Sequence, residues 1–295
     1  MLATFLLLIT AAFAGQVKYD VDKGAAKWAF DVTWKDANAE KHHATFKLPA
    51  AAVKEDLDEP LRYKPLEANR FAAGAVNQWA KKKNKGPSVK ATASKKGVRI
   101  KVTGRNRQAM KKALADAEEV RDEAFADYRK KKGFTLLKGK VIPDHTRHVD
   151  EYSDDVKPVM KALGGPTQDP RVFAEKALSF VQSIPYEKAS LKRDRYRRPL
   201  SLLGRNRGDC DSKVVLYLAL MKAAYPRVDS AVIYIPGHAY AALGLDPQLG
   251  EAKIRKGGST WLLVEPVGPA VVPLGTVGRK SRRRARTGRV TLVET

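Results

Sequence analysis

Acidic side chains are in short supply in this chain of 295 residues, with 32 Asp and Glu against 56 Lys and Arg and a formal net charge of +24. That imbalance points to an anionic neighbour, such as nucleic acid, a phosphate-rich cell surface, wall polymers or acidic protein, and does not choose among them. Cysteine is rarer still. A single one, Cys210, excludes an internal disulfide and every paired-cysteine metal motif. No HExxH, glycine-rich phosphate loop or calcium-loop pattern occurs, so neither a cofactor nor a metal is expected. No apolar run reaches the ~20 residues of a membrane span. Aromatic residues are not interleaved with the basic clusters and no nucleic-acid module signature is present, which argues against specific nucleic-acid recognition.

What is present begins with Met1 to Ala14, MLATFLLLITAAFA. Its length and its small residues before Gly15 suit an export signal cleaved after Ala14, although no Lys or Arg precedes the apolar core. A buried first strand or helix is the alternative reading. Export would place a lone thiol in an oxidising compartment, where a purely structural cysteine gains little.

Residues 15–140 read as a small α+β module of their own. WAFDVTW (Trp28 to Trp34) and HATFKL (His43 to Leu48) alternate as strands joined through Asp36-Ala37-Asn38. Arg70 to Lys82 and Gln108 to Lys131 have helical patterns, the second ended by Gly133. SVKATAS and GVRIKVTG form a second strand pair. His42 and His43 fall on opposite faces of a strand and suit no common metal. Residues 141–168 read as a connecting segment; His145 and His148 could share a helix face, but their charged context favours a solvated link.

The chemistry centres on Arg205 to Ala224, RNRGDCDSKVVLYLALMKAA. An apolar run follows Cys210, which reads as a loop feeding a buried helix with the thiol in its first turn. Asp209 is a suitable N-cap, and the helix start favours thiolate over thiol. The alternative is a small buried hydrophobe. His238, in GHAY, follows a β-rich run, and Glu265 ends another, WLLVEP. The order cysteine, histidine, carboxylate supplies a nucleophile, a base and a group to orient the base.

The segments FVQSIPYE, GDCDSK, GHAY and WLLVEP, in that order, resemble the transglutaminase-like superfamily, above all its exported bacterial cysteine peptidase branch. The resemblance spans roughly Asp169 to Gly278. It implies a papain-like α+β core, a cysteine-bearing helix packed on a small antiparallel sheet, with Cys210, His238 and Glu265 as the triad. The family's third member is usually Asp, so Asp246 stands as the alternative to Glu265. A side chain upstream of the nucleophile helps hold the oxyanion in such sites, and Gln182 and Tyr186 are the candidates from the matching segment. The expected activity is peptide or amide hydrolysis through a thioester by an exported enzyme, with amine transfer as the variant and a non-catalytic scaffold on an anionic polymer as the contrasting reading. Arg198, Arg205 and Arg207, with the cations from Lys192 onward, would form a rim that attracts an acidic protein or peptide substrate and lowers the thiol pKa. The basic stretch 279–295 reads as a tail that touches anionic surfaces.

Overall fold

The computed structural model describes residues 15–83, 85–187, 196–268 and 270–295. The expected export signal, and Lys192 to Arg195 of the cationic run, lie outside the described residues. The chain divides into two compact units, one of residues 1–60 with 145–295 and one of residues 61–144. This division differs from the expectation of one N-terminal module over 15–140.

The first unit starts with an antiparallel meander, β1 (Gly15–Lys23), β2 (Lys27–Lys35) and β3 (Lys41–Pro49), followed by α1 (Ala50–Asp58). The second unit is α2 (Pro65–Lys82), the hairpin β4 (Ser88–Ser94) and β5 (Gly97–Thr103), α3 (Arg107–Lys131), and the hairpin β6 (Phe134–Leu137) and β7 (Lys140–Pro143). Its small core joins Ala73 and Val76 of α2, Ala91 of β4 and Ala117 of α3. Returning to the first unit, the chain runs through α4 (His145–Tyr152), α5 (Lys157–Ala162), α6 (Pro170–Ser183), α7 (Pro199–Arg205), α8 (Cys210–Ala224), β8 (Ser230–Ile235), β9 (His238–Leu243), β10 (Lys253–Lys256), β11 (Ser259–Val264), α9 (Arg279–Arg286) and β12 (Thr291–Glu294).

Strands β8 to β12 form one antiparallel sheet in the order β10-β11-β9-β8-β12. The fold is mixed α+β. The apolar run after Cys210 makes α8 buried on all sides: from Val214 to Met221 every residue is at most 1% exposed. Such a helix suits a core position rather than a surface one. The meander joins this unit because of its aromatic face. Trp34 Nε1 donates to Ser179 Oγ at 3.0 Å, and Phe180 of α6 stands edge-on to Trp34 and Phe46.

Two further expectations change. The basic C-terminus is a helix plus a strand, with β12 paired to β8 from Thr291↔Tyr234 to Glu294↔Ala231. Alternating Leu292 and Val290 supply the apolar contacts that hold it on the sheet. His145 and His148 are buried, each at 3% exposure or less. Tyr234 OH lies 2.6 Å from His145 Nδ1 and Tyr196 OH 2.9 Å from His148 Nδ1. These partners account for the burial of two imidazoles in a segment whose sequence is otherwise polar.

Candidate active site

Helix α8 opens as its sequence requires. Asp209 accepts from the Ser212 amide at 3.0 Å and from Ser212 Oγ at 2.6 Å, so Cys210 is the first residue of a capped helix. Tyr186 is brought beside it by a parallel bridge to Gly208, in which the Glu187 amide donates to Gly208 O at 2.9 Å.

The histidine and the acid meet through sheet register. A two-residue Pro236-Gly237 turn, with Gly237 at φ +76°, delivers His238 as the first residue of β9. The β9–β11 ladder ends at Ala241↔Val264. Carried one step further, that register sets Glu265 level with Tyr240 and diagonal to His238 on the same face, within reach of long side chains. His238 Nε2 lies 2.9 Å from Glu265 Oε2. The Ala239 amide, next to His238 in the chain, favours the charged form of the Cys210 sulfur. His238 and Glu265 thus meet at the start of β9, and α8 packs against that strand without a hydrogen bond, among the described residues, between Cys210 and His238.

The thiol itself donates to Asp211 Oδ1 at 3.3 Å. Burial, and after it the Asp211 carboxylate, push the Cys210 thiol far above its ordinary value, while the Ala239 amide acts in the opposite direction. This differs from the expected thiolate. Desolvation at a packed site and an acid at the adjacent position outweigh the helix start. Asp211→Asn is therefore expected to lower the thiol pKa and to speed iodoacetamide alkylation near pH 8. Equal alkylation rates in the variant and the parent would refute that role for Asp211.

The other candidates separate. Both hydrogens of Gln182 Nε2 are in use, to Glu265 O at 2.8 Å and Val272 O at 3.2 Å, and its Oε1 accepts from the Val272 amide at 3.1 Å. Gln182 braces the loop that carries Glu265 and has no donor left for an oxyanion. Tyr186 is half-exposed, and its hydroxyl is raised by burial and then by the charges of Cys210, Asp209 and Asp211. Asp246 is exposed, with its backbone carbonyl taking Arg171 Nη2 at 2.6 Å; the carboxylate that reaches His238 is Glu265.

Of the expected rim, Arg198 is spent on α1, donating to Glu59 O at 2.8 Å with Nε 3.1 Å from Asp56 Oδ1. Arg205 caps the end of the same helix through Leu57 O at 3.3 Å. Arg207 is exposed. Among the described residues one group has metal-ligand spacing, Asp36, Glu40 and His42. Asp36 already accepts from the Asn38 and Glu40 amides at 2.9 Å each and pairs with His42 at 2.9 Å, bonds that close the β2–β3 turn.

Lys213 is the feature that sequence reasoning passed over, although one cation at the head of an apolar run was a visible signal. It is completely buried and donates to the carbonyls of Gln182, at 3.2 Å, and Ile184. Burial lowers its pKa to about 7, with Glu265 pulling upward. A Cβ on Gly268 would collide with the Gln182 backbone oxygen in this same corner. Gly268→Ala is expected to shift the Glu265 loop and to lower kcat by about tenfold or more, measured against a circular dichroism control for folding.

No family model matches this chain, and no curated protein or solved structure matches it.

Proposed function

We propose that the chain is a cysteine peptidase or amidase of transglutaminase-like type with a papain-like core, acting on a protein or peptide amide. The observation that carries this reading is the pairing of His238 Nε2 with Glu265 Oε2 at 2.9 Å, at the start of a strand whose next amide favours the charged form of the Cys210 sulfur. With Nε2 donating its hydrogen to the carboxylate, the imidazole is held in the tautomer whose Nδ1 carries the lone pair.

In the first half-reaction Nδ1 of His238 takes the thiol proton as the sulfur attacks the amide carbonyl, so the proton leaves during attack rather than before it. In this reading the Cys210 backbone amide, at the first turn of α8, and the Tyr186 hydroxyl are the donors to the oxyanion. Collapse breaks the C–N bond, and His238 returns the proton to the departing amine, leaving a thioester. In the second half-reaction His238 takes a proton from water, hydroxide adds to the thioester, and the carboxylic acid leaves as the thiol regains its proton. An amine in place of water would give transamidation. If Met1 to Ala14 is an export signal, this chemistry takes place outside the cytoplasm.

The reaction is tested by incubating the full chain with an unstructured protein whose amines are blocked. New N-termini are counted by mass spectrometry, and ammonia is assayed with and without an added primary amine. New termini that depend on Cys210, with no amine incorporated, support hydrolysis. Amine incorporation without new termini would move the assignment to transfer, and neither product would refute the acyl-transfer reading.

A further inference from the structure

The exposed helix α9 is a dense cationic surface of unusual composition. Its eight residues, RKSRRRAR, include six Lys and Arg and no acid, and only Ser281 and Ala285 face the protein body. Ala285 enters the core with Ile233, Tyr240 and Trp261, and Arg279, Lys280, Arg282, Arg283 and Arg286 are exposed while Arg284 is partly buried. Arg279 and Arg283 are one turn apart, as are Arg282 and Arg286, spacings at which like charges repel. A solvated cationic helix ordinarily interleaves Glu or Asp at these positions. Here no cation of α9 has an acidic partner among the described residues, and Arg284 keeps its Nε buried without a hydrogen-bond partner. The helix therefore holds repulsive charge that an external anion would relieve.

Its position beside the proposed site is fixed by one bond. Lys280 Nζ donates to Pro236 O at 2.9 Å, in the turn that delivers His238 to the start of β9. Lys280 therefore ties α9 to the turn that precedes His238. The expected cationic rim offered Arg198 and Arg205, both of which are spent on α1. Exposed cations without an acidic partner among the described residues remain at Arg207, in the loop before Cys210, and along α9.

We infer that α9 is the substrate-selecting surface of this protein, and that it docks an acidic segment, rich in Asp and Glu, of the polypeptide whose amide is cleaved at Cys210. The inference rests on the acyl-transfer reading for what happens to the chain once docked, but not for docking itself. Arginine guanidinium groups pair with carboxylates through two parallel hydrogen bonds, and three outward arginines at neighbouring helix positions match side chains spaced along an extended chain.

The test measures binding, on full-length Cys210→Ala, so that it stands whether or not the chain is a peptidase. A fluorescent 15-residue peptide carrying a block of Asp and Glu is compared by anisotropy with its Asn and Gln counterpart. The acidic peptide is expected to bind at least about tenfold more tightly at low salt, and to lose that advantage as ionic strength shortens the range of surface charge. Changing Arg282, Arg283 and Arg286 to Gln in the same background should abolish the difference. Equal binding of the two peptides, or an unchanged preference in the Gln variant, would overturn the inference. So would tight binding of a polyphosphate or a single-stranded oligonucleotide with none of the acidic peptide, since that outcome assigns α9 to a phosphate polymer. Should the Gln variant fail to fold, Lys280→Gln and Arg283→Gln made singly give the same comparison at smaller amplitude, and a salt-independent preference in the Cys210→Ala protein would be equally fatal.

Discussion

Cys210→Ala is expected to reduce amide hydrolysis by about 10⁴- to 10⁶-fold, and Glu265→Gln by about 10³- to 10⁴-fold, each as a loss of kcat with KM nearly unchanged. The first removes the atom that would form the proposed thioester. The second keeps shape and volume but lets the side-chain amide present its NH₂ group to Nε2 of His238, which stabilises the tautomer carrying its hydrogen on Nδ1, the wrong nitrogen for taking the thiol proton. A loss of that size is about 4–5.5 kcal/mol of transition-state stabilisation. A single bond between His238 and Glu265 at 2.9 Å carries the prediction. Steady-state kinetics on the peptide substrate decide it: a Glu265→Gln enzyme within tenfold of the parent would remove Glu265 from the triad. Asp246→Asn is expected to leave kcat unchanged, since that residue is exposed and its carbonyl is tied to Arg171.

Lys213 should give the largest effect on stability. Its folded pKa of about 7 lies below the 10.5 of the free side chain. Between those values the unfolded chain binds a proton that the folded chain does not, so stability rises with pH across that window, by about 5 kcal/mol in all. Below pH 7 both states are protonated and the cost of burying the charge is constant. Lys213→Met is expected to abolish this rise, read as the difference in urea midpoint between pH 7 and pH 9.5. Lys213→Ala adds a cavity and leaves the Gln182 and Ile184 carbonyls without their donor, a loss of about 3–5 kcal/mol at high pH. A Met variant that keeps the parent's pH dependence would show that Lys213 is not the titrating group.

Both residues sit at one junction. Gln182 holds the backbone of the Glu265 loop, Lys213 holds the backbone of Gln182, and Gly268 lets the loop approach that same carbonyl. The acid that orients the imidazole is thus positioned by α6 and α8 together.

Much of this was legible in the linear chain. The continuous apolar run and the Asp209 cap locate α8 and put Cys210 in its first turn. Alternation marks β2, β3, β4 and β5, and Pro-Gly before His238 marks a tight turn into a strand. These are local signals, decided by residues within a few positions of one another. The sequence also supplied the three candidates in order, each at the boundary of a recognisable element, and the structure pairs two of them, His238 and Glu265.

Other features came only with the tertiary structure, because each depends on partners distant in sequence. Gln182 looked like a surface glutamine or an oxyanion donor until Glu265 and Val272, 83 and 90 positions away, took its amide. Arg198 looked like a free cation until α1 folded against it. The basic C-terminus looked like a tail because its charge hides two apolar contacts that pair β12 with β8. The protonation of the thiol was the least readable of all. Charge and a helix start are written in the sequence, but burial is not, and at Cys210 burial is the larger effect.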